Sequence, residues 1–256
     1  MIERRILFIV EGEQDELKFL KRMIKTCFPG IKHEFYSYKT TLHTLAQVLE
    51  NDYPSFEEDN IDIRLVLRSM EKDNGKKLVL SQKYNDIYLV FDFEPHHDNL
   101  HFATIRRMLE YFQSSSDTGK LYLNYPMIQS YKHITVLPDP MFSFRTIELK
   151  DIYRYKEIVG KESIITDLNS YSYNTFVSLG VHHIKKANYL LTEVNELPTV
   201  IDYLTLSHLD IFDVEYNLLT KKKVVSILNT SLFIFVDFKP EAFFREVTNN
   251  KLRFDI

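Results

Sequence analysis

The chain has a single cysteine, Cys27, among its 256 residues. One cysteine cannot close an intramolecular disulfide, and without a CxxC pair it cannot build a thiolate zinc site. A reducing cytoplasm suits such a chain. Tryptophan is absent, so Tyr and Phe must fill the aromatic part of the core. Long apolar runs are missing too. The N-terminus reads Met-Ile-Glu-Arg-Arg and then only Ile6 to Val10 before acids begin, and the other apolar peak, Leu232 to Val236, is equally short. A signal peptide needs a longer apolar region and a membrane helix about 20 residues, so a cytoplasmic protein with no membrane association is expected. Neither sign of charge dominates: 32 basic residues stand against 36 acidic ones, for a formal charge of −4. That excludes a general attraction to nucleic acid or anionic lipid, so binding of either needs a local patch or metal ions. A P-loop is also lacking. Thr118-Gly119-Lys120-Leu121 has Ser114 in place of the earlier glycine and no following Ser or Thr, so no ATPase is built in. There is no repeat, low-complexity tract or heptad array.

What is present is 45 % apolar content, enough for a sizeable core in one large domain or a domain with an appendage. Ile6 to Val10 reads as a strand buried on both faces, the parallel-sheet type. Leu17, Leu20, Met23, Ile24 and Cys27 predict a helix over 14–27, stopped by Pro29-Gly30. Strands are expected at 33–38, 86–93, 120–123 and 134–137. Helices are expected at 41–50, 61–72 (ended by Asn74-Gly75) and 99–112. This alternation argues an α/β fold, a parallel sheet flanked by helices, over residues 1–140. Pro138-Asp139-Pro140 marks the expected boundary. A mostly helical part follows over 141–256, with helices at 174–191 and 215–228, and position suggests it for docking a partner or substrate.

Two strands end in acids. Ile6 to Val10 runs into Glu11-Gly12, and Asp86 to Phe93 carries Asp92 and Glu94 at its end. Ligands of open parallel sheets bind at the carboxyl ends of strands. In an extended strand, residues two apart point to the same side, roughly 6.5 Å apart, so Asp92 and Glu94 would project together. If the two strands are neighbours, Glu11 projects toward them. Converging carboxylates repel unless protons or cations intervene. The simplest compensation is Mg²⁺, or Mn²⁺ in its place, which keeps several waters and takes one or two carboxylates, leaving room for a phosphate. Gly12 lets the backbone turn and leaves space beside Glu11.

Val10-Glu11-Gly12-Glu13-Gln14-Asp15-Glu16, followed later by an apolar strand ending in Asp92-Phe93-Glu94, resembles the Toprim pattern of strand, Glu-Gly, helix and a later strand with Asp-x-Asp. The likeness covers roughly residues 5 to 137 and is nearest to small stand-alone Toprim proteins of bacterial anti-phage defence and abortive infection, relatives of the overcoming-lysogenization-defect nucleases. It implies a Toprim-like fold and a Mg²⁺-dependent endonuclease acting on RNA or DNA. It makes Glu11 the general acid/base or a first metal ligand, and Asp92 and Glu94 the metal pair. It also implies a separate ATPase or sensor subunit. The chain departs from the pattern in having Asp-x-Glu and a long gap between Glu11 and Asp92.

Beyond the acidic pair lies Pro95-His96-His97-Asp98-Asn99-Leu100-His101. Zinc is one reading, though adjacent histidines rarely share an ion; the other adds Asp98 to the Mg²⁺ site and sets His97 on the phosphate. Asp98 or Asn99 would equally cap the next helix. His182-His183-Ile184-Lys185-Lys186 would either contact a nucleic-acid backbone through Lys185 and Lys186 or form a solvated helix face. Lys221-Lys222-Lys223 reads as solvated surface, and Asp15 and Glu16 as first-turn acids favoured by the helix dipole. Tyr122, Tyr125, Tyr131, Tyr153, Tyr155, Tyr171 and Tyr173 would stack bases or fill the core. Asn124 to Tyr131 resembles a segment lying beside the acidic site of the same Toprim proteins. Two other functions stay open: a non-catalytic Toprim-like binding or sensor subunit, and, ranked last, a dehalogenase-like phosphotransferase with Asp92 as nucleophile. Homo-oligomerisation is left open.

Overall fold

Ile6 to Val10 are each at most 3 % exposed, as a strand covered on both faces requires. In the computed structural model, which describes residues 4–98 and 100–249, they belong to β1 (Arg5–Val10). This strand pairs in parallel with β2 (Lys32–Ser37) and with β3 (Asp86–Asp92), so Val10 lies opposite both Ser37 and Val90. The short strand β4 (Gln113–Ser114) turns antiparallel into β5 (Gly119–Tyr125), and the sheet order is β2-β1-β3-β5-β4. Gly119 opens β5 at φ +106°, where a Cβ would also sit 2.8 Å from Leu89 Cδ1. The fold is thus α/β, with a mixed, mostly parallel sheet.

The chain divides into two units, Met1–Lys18 with Gly30–Asp92 and His97–Tyr122, and Phe19–Pro29 with Phe93–His96 and Leu123–Ile256. In the first, β1 leads into α1 (Asp15–Cys27), whose later turns belong to the second unit. The helices α2 (Leu42–Asp52), α3 (Ile63–Met70), α4 (Asn74–Ser81) and α5 (Phe102–Tyr111) complete it. Thr41, Asp62 and Asp73 cap three of these helices, each side chain accepting a backbone N–H of the first turn. At the far end of the sheet Arg4 makes a two-pronged ion pair with buried Asp86, at 2.6 and 2.9 Å.

The second unit contains β6 (Thr146–Glu148), α6 (Tyr155–Glu162), α7 (Tyr173–Thr192), α8 (Val200–Leu204), α9 (His208–Asn217), β7 (Val224–Ser226), β8 (Leu228–Asn229), α10 (Phe233–Asp237) and α11 (Pro240–Asn249). Its core is aromatic: Phe19 stacks on Tyr131 at 4.3 Å, and Tyr125, Tyr131, Tyr155 and Tyr171 are buried, as Tyr122 is in the first unit. Tyr153 and Tyr173 stay exposed. Burial pushes the Cys27 thiol up to about 12, which keeps it unreactive. Among the described residues no helix is long and apolar enough to cross a membrane.

Three expectations need correction. Asn74-Gly75 does not stop a helix; it starts α4, because Asp73 caps that helix through the Lys76 N–H. Residues 134–137 form no strand; Thr135 and Arg145 bond to Asp139 there. The helix expected at 215–228 ends early: α9 runs to Asn217, a π-helical turn continues to Lys222, and β7 then pairs antiparallel with β6. The two units interleave along the chain, and the last change from one to the other lies between Tyr122 and Leu123. Asn124 and Tyr125 pair with β8, and Thr230 Oγ1 donates to Leu123 O, which binds the end of β5 to C-terminal residues. At Pro138-Asp139-Pro140 the chain is held in the interior: Asp139 is buried, bridged by Arg145 at 2.9 Å, and its N–H donates to His182.

Candidate functional site

The parallel register of β1 and β3 brings their two carboxyl ends side by side. The backbone then ties them. The Glu11 N–H donates to Val90 O at 3.2 Å, and the Asp92 N–H donates to Glu11 Oε2 at 3.1 Å. The Glu11 carboxylate is therefore held against the residue whose own carboxylate ends β3. Asp92 is buried and Glu11 half-buried, so both acids meet solvent over a limited surface.

Gly12 shapes what lies next to them. A Cβ there would stand 2.5 Å from Glu16 Oε2, because the Glu16 side chain folds back over Gly12 from the first turn of α1. Glu16 lies in the first turn of α1, as expected, but is only 8 % exposed. Ser37 Oγ donates to Gly12 O at 3.0 Å and fixes the turn to the end of β2. Two cations flank this turn. Lys39, at φ +68°, donates its backbone N–H to Glu11 O at 2.9 Å and pairs with Glu13 at 2.7 Å. Lys76 Nζ donates to Ser37 O at 3.0 Å and lies 3.8 Å from Glu13. The Lys39 hydrogen bond holds the Glu13 carboxyl below the usual range.

A histidine network lies in the same unit. His97 stacks on fully buried His43 at 5.0 Å, with Nε2 3.4 Å from Thr41 Oγ1. The His101 N–H donates to His43 Nδ1 at 3.2 Å, and the His101 ring pairs with Glu50 at 2.8 Å. His101 is also the main reason the Glu50 carboxyl sits low. Asp98 and His96 are exposed. His97 thus has protein partners of its own. Asn99 lies outside the described residues.

Glu94 departs from the strand geometry expected of it. β3 ends at Asp92, and Glu94 takes a left-handed backbone with φ 41°, so the two-residue alternation does not run from Asp92 to Glu94. Its N–H donates to Pro126 O at 3.3 Å, and the Phe93 N–H to Asn124 O at 3.0 Å. The Asn124 to Tyr131 segment therefore lies beside Phe93 and Glu94.

Lys186 contradicts both readings of its cluster. It is fully buried and donates to the carbonyls of Phe142, at 3.2 Å, and Arg145, with the Phe142 ring 5.2 Å away. It contacts neither solvent nor a substrate backbone. Burial pulls its ammonium down to about 7, opposed chiefly by Glu215, whose own carboxyl burial pushes up. His182 and His183 are buried with it; Lys185 alone is half-exposed. Lys221, Lys222 and Lys223 are exposed surface, as expected.

The donor chemistry of Glu11, Asp92 and Glu16 is oxygen only, which suits a hard divalent cation and not zinc. Among the described residues no three or more His, Cys, Asp or Glu gather into a group able to hold a metal ion. Mg²⁺ accepts one or two carboxylates and fills its shell with water and phosphate. Glu16, His43, Lys39 and Lys76 escaped sequence reasoning. Glu16 carried a signal in the Glu11-Gly12-x-x-x-Glu16 spacing, but the helix dipole explained it equally well. The other three carried none. No family model, no curated protein and no solved structure matches the chain.

Proposed function

We propose that this chain is a Toprim-type, Mg²⁺-dependent phosphodiester nuclease that cuts RNA or DNA as the effector of a bacterial anti-phage defence system. One observation carries the reading: two acids, each ending a central parallel strand, are locked together by the Asp92 N–H to Glu11 Oε2 bond. Ligands of open parallel sheets bind at the carboxyl ends of strands, where these two acids stand, and that position supports a ligand role. A bound Mg²⁺ would supply charge neutralisation and an acidified water. Asp92 and Glu16 are its holders in this reading. Glu11, the more exposed acid, holds or moves the proton of the attacking water or the leaving oxygen. Lys39 and Lys76 offer cations for the substrate's phosphates at the cost of their pairing with Glu13. Partners of the nuclease are the nucleic acid and a separate ATPase or sensor chain.

A second reading, a Toprim-like binding or sensor subunit without catalysis, is favoured by the left-handed turn at Glu94, which removes one acid from the strand end. The discriminating experiment incubates the purified protein with labelled DNA and total RNA, with and without Mg²⁺ or Mn²⁺, beside Glu11→Gln and Asp92→Asn. The amide of Glu11→Gln keeps an acceptor for the Asp92 N–H, so the fold is retained while the charge is lost. Metal-dependent cleavage abolished in both variants is the expected result. Cleavage retained in both refutes the site. A wild type that neither cuts nor shows a metal-dependent thermal shift supports the sensor reading.

A further inference from the structure

Between Lys186 and Lys221 the chain has no lysine or arginine, yet it holds Glu193, Glu196, Asp202, Asp210, Asp213 and Glu215. The same stretch builds a groove of about 480 Å³ at the end of α7, along residues 194–199 and beside α8. Leu191, Val194, Leu197 and Leu206 line it with apolar surface, and Glu196 and Asp202 are its charged residues. Val194 in that lining is 49 % exposed, and Ile201 and Leu204, one helical turn apart on α8 and outside the lining, are 72 % and 59 % exposed. Large aliphatic side chains left in the open on the groove wall and on the helix that forms it point to an interaction surface.

The groove is preformed. Asn188 Nδ2 donates to the carbonyls of Val194 and Glu196, at 3.0 and 3.1 Å, and so ties its wall to α7. Thr199 caps α8 and donates through Oγ1 to Asp202 Oδ2 at 2.7 Å, which holds that carboxylate in place. A preorganised wall lowers the ordering cost of binding. Charge selects the occupant. Anionic lipid and nucleic acid are repelled, and a second copy would set the same acids against each other.

We infer that this groove docks a cationic amphipathic segment of a partner protein, with aliphatic anchors at helical spacing entering between Leu191 and α8 and with Lys or Arg side chains meeting Glu196 and Asp202. The inference does not depend on the nuclease reading. It is tested by fluorescence anisotropy on the full chain with two labelled peptides. Both carry Leu at positions i, i+3, i+4 and i+7; one has Lys elsewhere and the other Glu. The Leu/Lys peptide binds and the Leu/Glu peptide does not. The double change Glu196→Lys with Asp202→Lys weakens the Leu/Lys peptide by about tenfold or more and gains the Leu/Glu peptide. Ile201→Ser with Leu204→Ser weakens it by a similar factor. Glu58→Lys with Asp59→Lys, an equal charge change in the other unit, leaves binding unchanged. The inference is overturned if neither peptide binds, if both bind alike, or if the Glu58 and Asp59 variant weakens binding as much. Self-association of the chain that Ile201→Ser with Leu204→Ser abolishes also overturns it, by making a second copy the occupant.

Discussion

Replacing Gly12 by alanine separates a steric effect on the acidic site from an effect on folding. Gly12 has no left-handed backbone, so alanine meets no conformational penalty there, and it gains up to about 1 kcal/mol by restricting the unfolded chain. The new methyl would stand 2.5 Å from Glu16 Oε2, and the nearest ordinary contact is 3.4 Å, so the carboxylate must retreat by about 0.9 Å. Its neighbour is the tip of a flexible side chain, so the retreat is made by rotation and stability changes by less than about 1 kcal/mol. A displacement of that size at a catalytic centre costs roughly 100-fold in rate. Gly12→Ala should therefore melt within a few degrees of the wild type (about 1 kcal/mol is about 2–4 °C for a chain of this size) while losing most of its Mg²⁺-induced thermal shift and cleavage. Adding Glu16→Asp shortens the acid by one methylene, relieves the contact and should restore part of the metal response. Calorimetry with and without Mg²⁺ reads both quantities. A variant with an undiminished metal shift would show that Glu16 takes no part in the site. A variant that fails to fold would show that the Glu16 carboxylate cannot move as argued.

Lys186→Met removes the donor that two buried carbonyls share. Leaving a buried acceptor unsatisfied costs about 1–3 kcal/mol, and the loss of the Lys186 charge also removes a field that favours the Glu215 carboxylate. Adding Glu215→Gln, which keeps an acceptor for the Ser226 N–H, should return part of that loss in urea melts; a cost below about 1 kcal/mol for Lys186→Met refutes the role of Lys186 as a buried donor. Stability should also fall on acidification. His182 Nε2 accepts from the Asp139 N–H and His183 Nδ1 from the Asn229 N–H, and burial holds both rings neutral, with pKa below the usual value. The hydrogen bond to the Ser178 carbonyl, and then Asp139, partly oppose the shift of His182, whereas Lys185 adds to it; His182 and Lys186 add to the shift of His183. With the folded pKa depressed, the unfolded chain takes the proton first, so the neutral rings carry no penalty above about pH 6.5 and cost up to roughly 1.4 kcal/mol per pH unit each below it. His183→Gln should flatten the pH dependence of the urea midpoint between about pH 7 and about pH 5; an unchanged slope contradicts the assignment.

Elements whose signal is local were settled by the order of residues alone. The apolar runs at Ile6 to Val10 and Asp86 to Asp92 could only be buried strands, and the residues following them had to sit at strand ends, so Glu11 and Asp92 were legible as site candidates. The amphipathic spacing before Pro29-Gly30 and the helical pattern over 174–191 were legible for the same reason: periodicity acts within a few residues. What lay beyond that reach depended on contacts between distant parts of the chain. Lys-Lys on a helix reads as surface because lysine is rarely buried, and only the free carbonyls of Phe142 and Arg145 made a buried site for Lys186. Pro138-Asp139-Pro140 reads as a break because prolines interrupt elements, and only Arg145 and His182 showed that Asp139 is held in the interior. Glu16 reads as a dipole partner, and only the fold showed that its carboxylate lies against Gly12, where a side chain would collide with it. That the two acidic ends meet was likewise undecided until β1 and β3 paired, because strand pairing is set by burial of the whole sheet and not by the residues at either end.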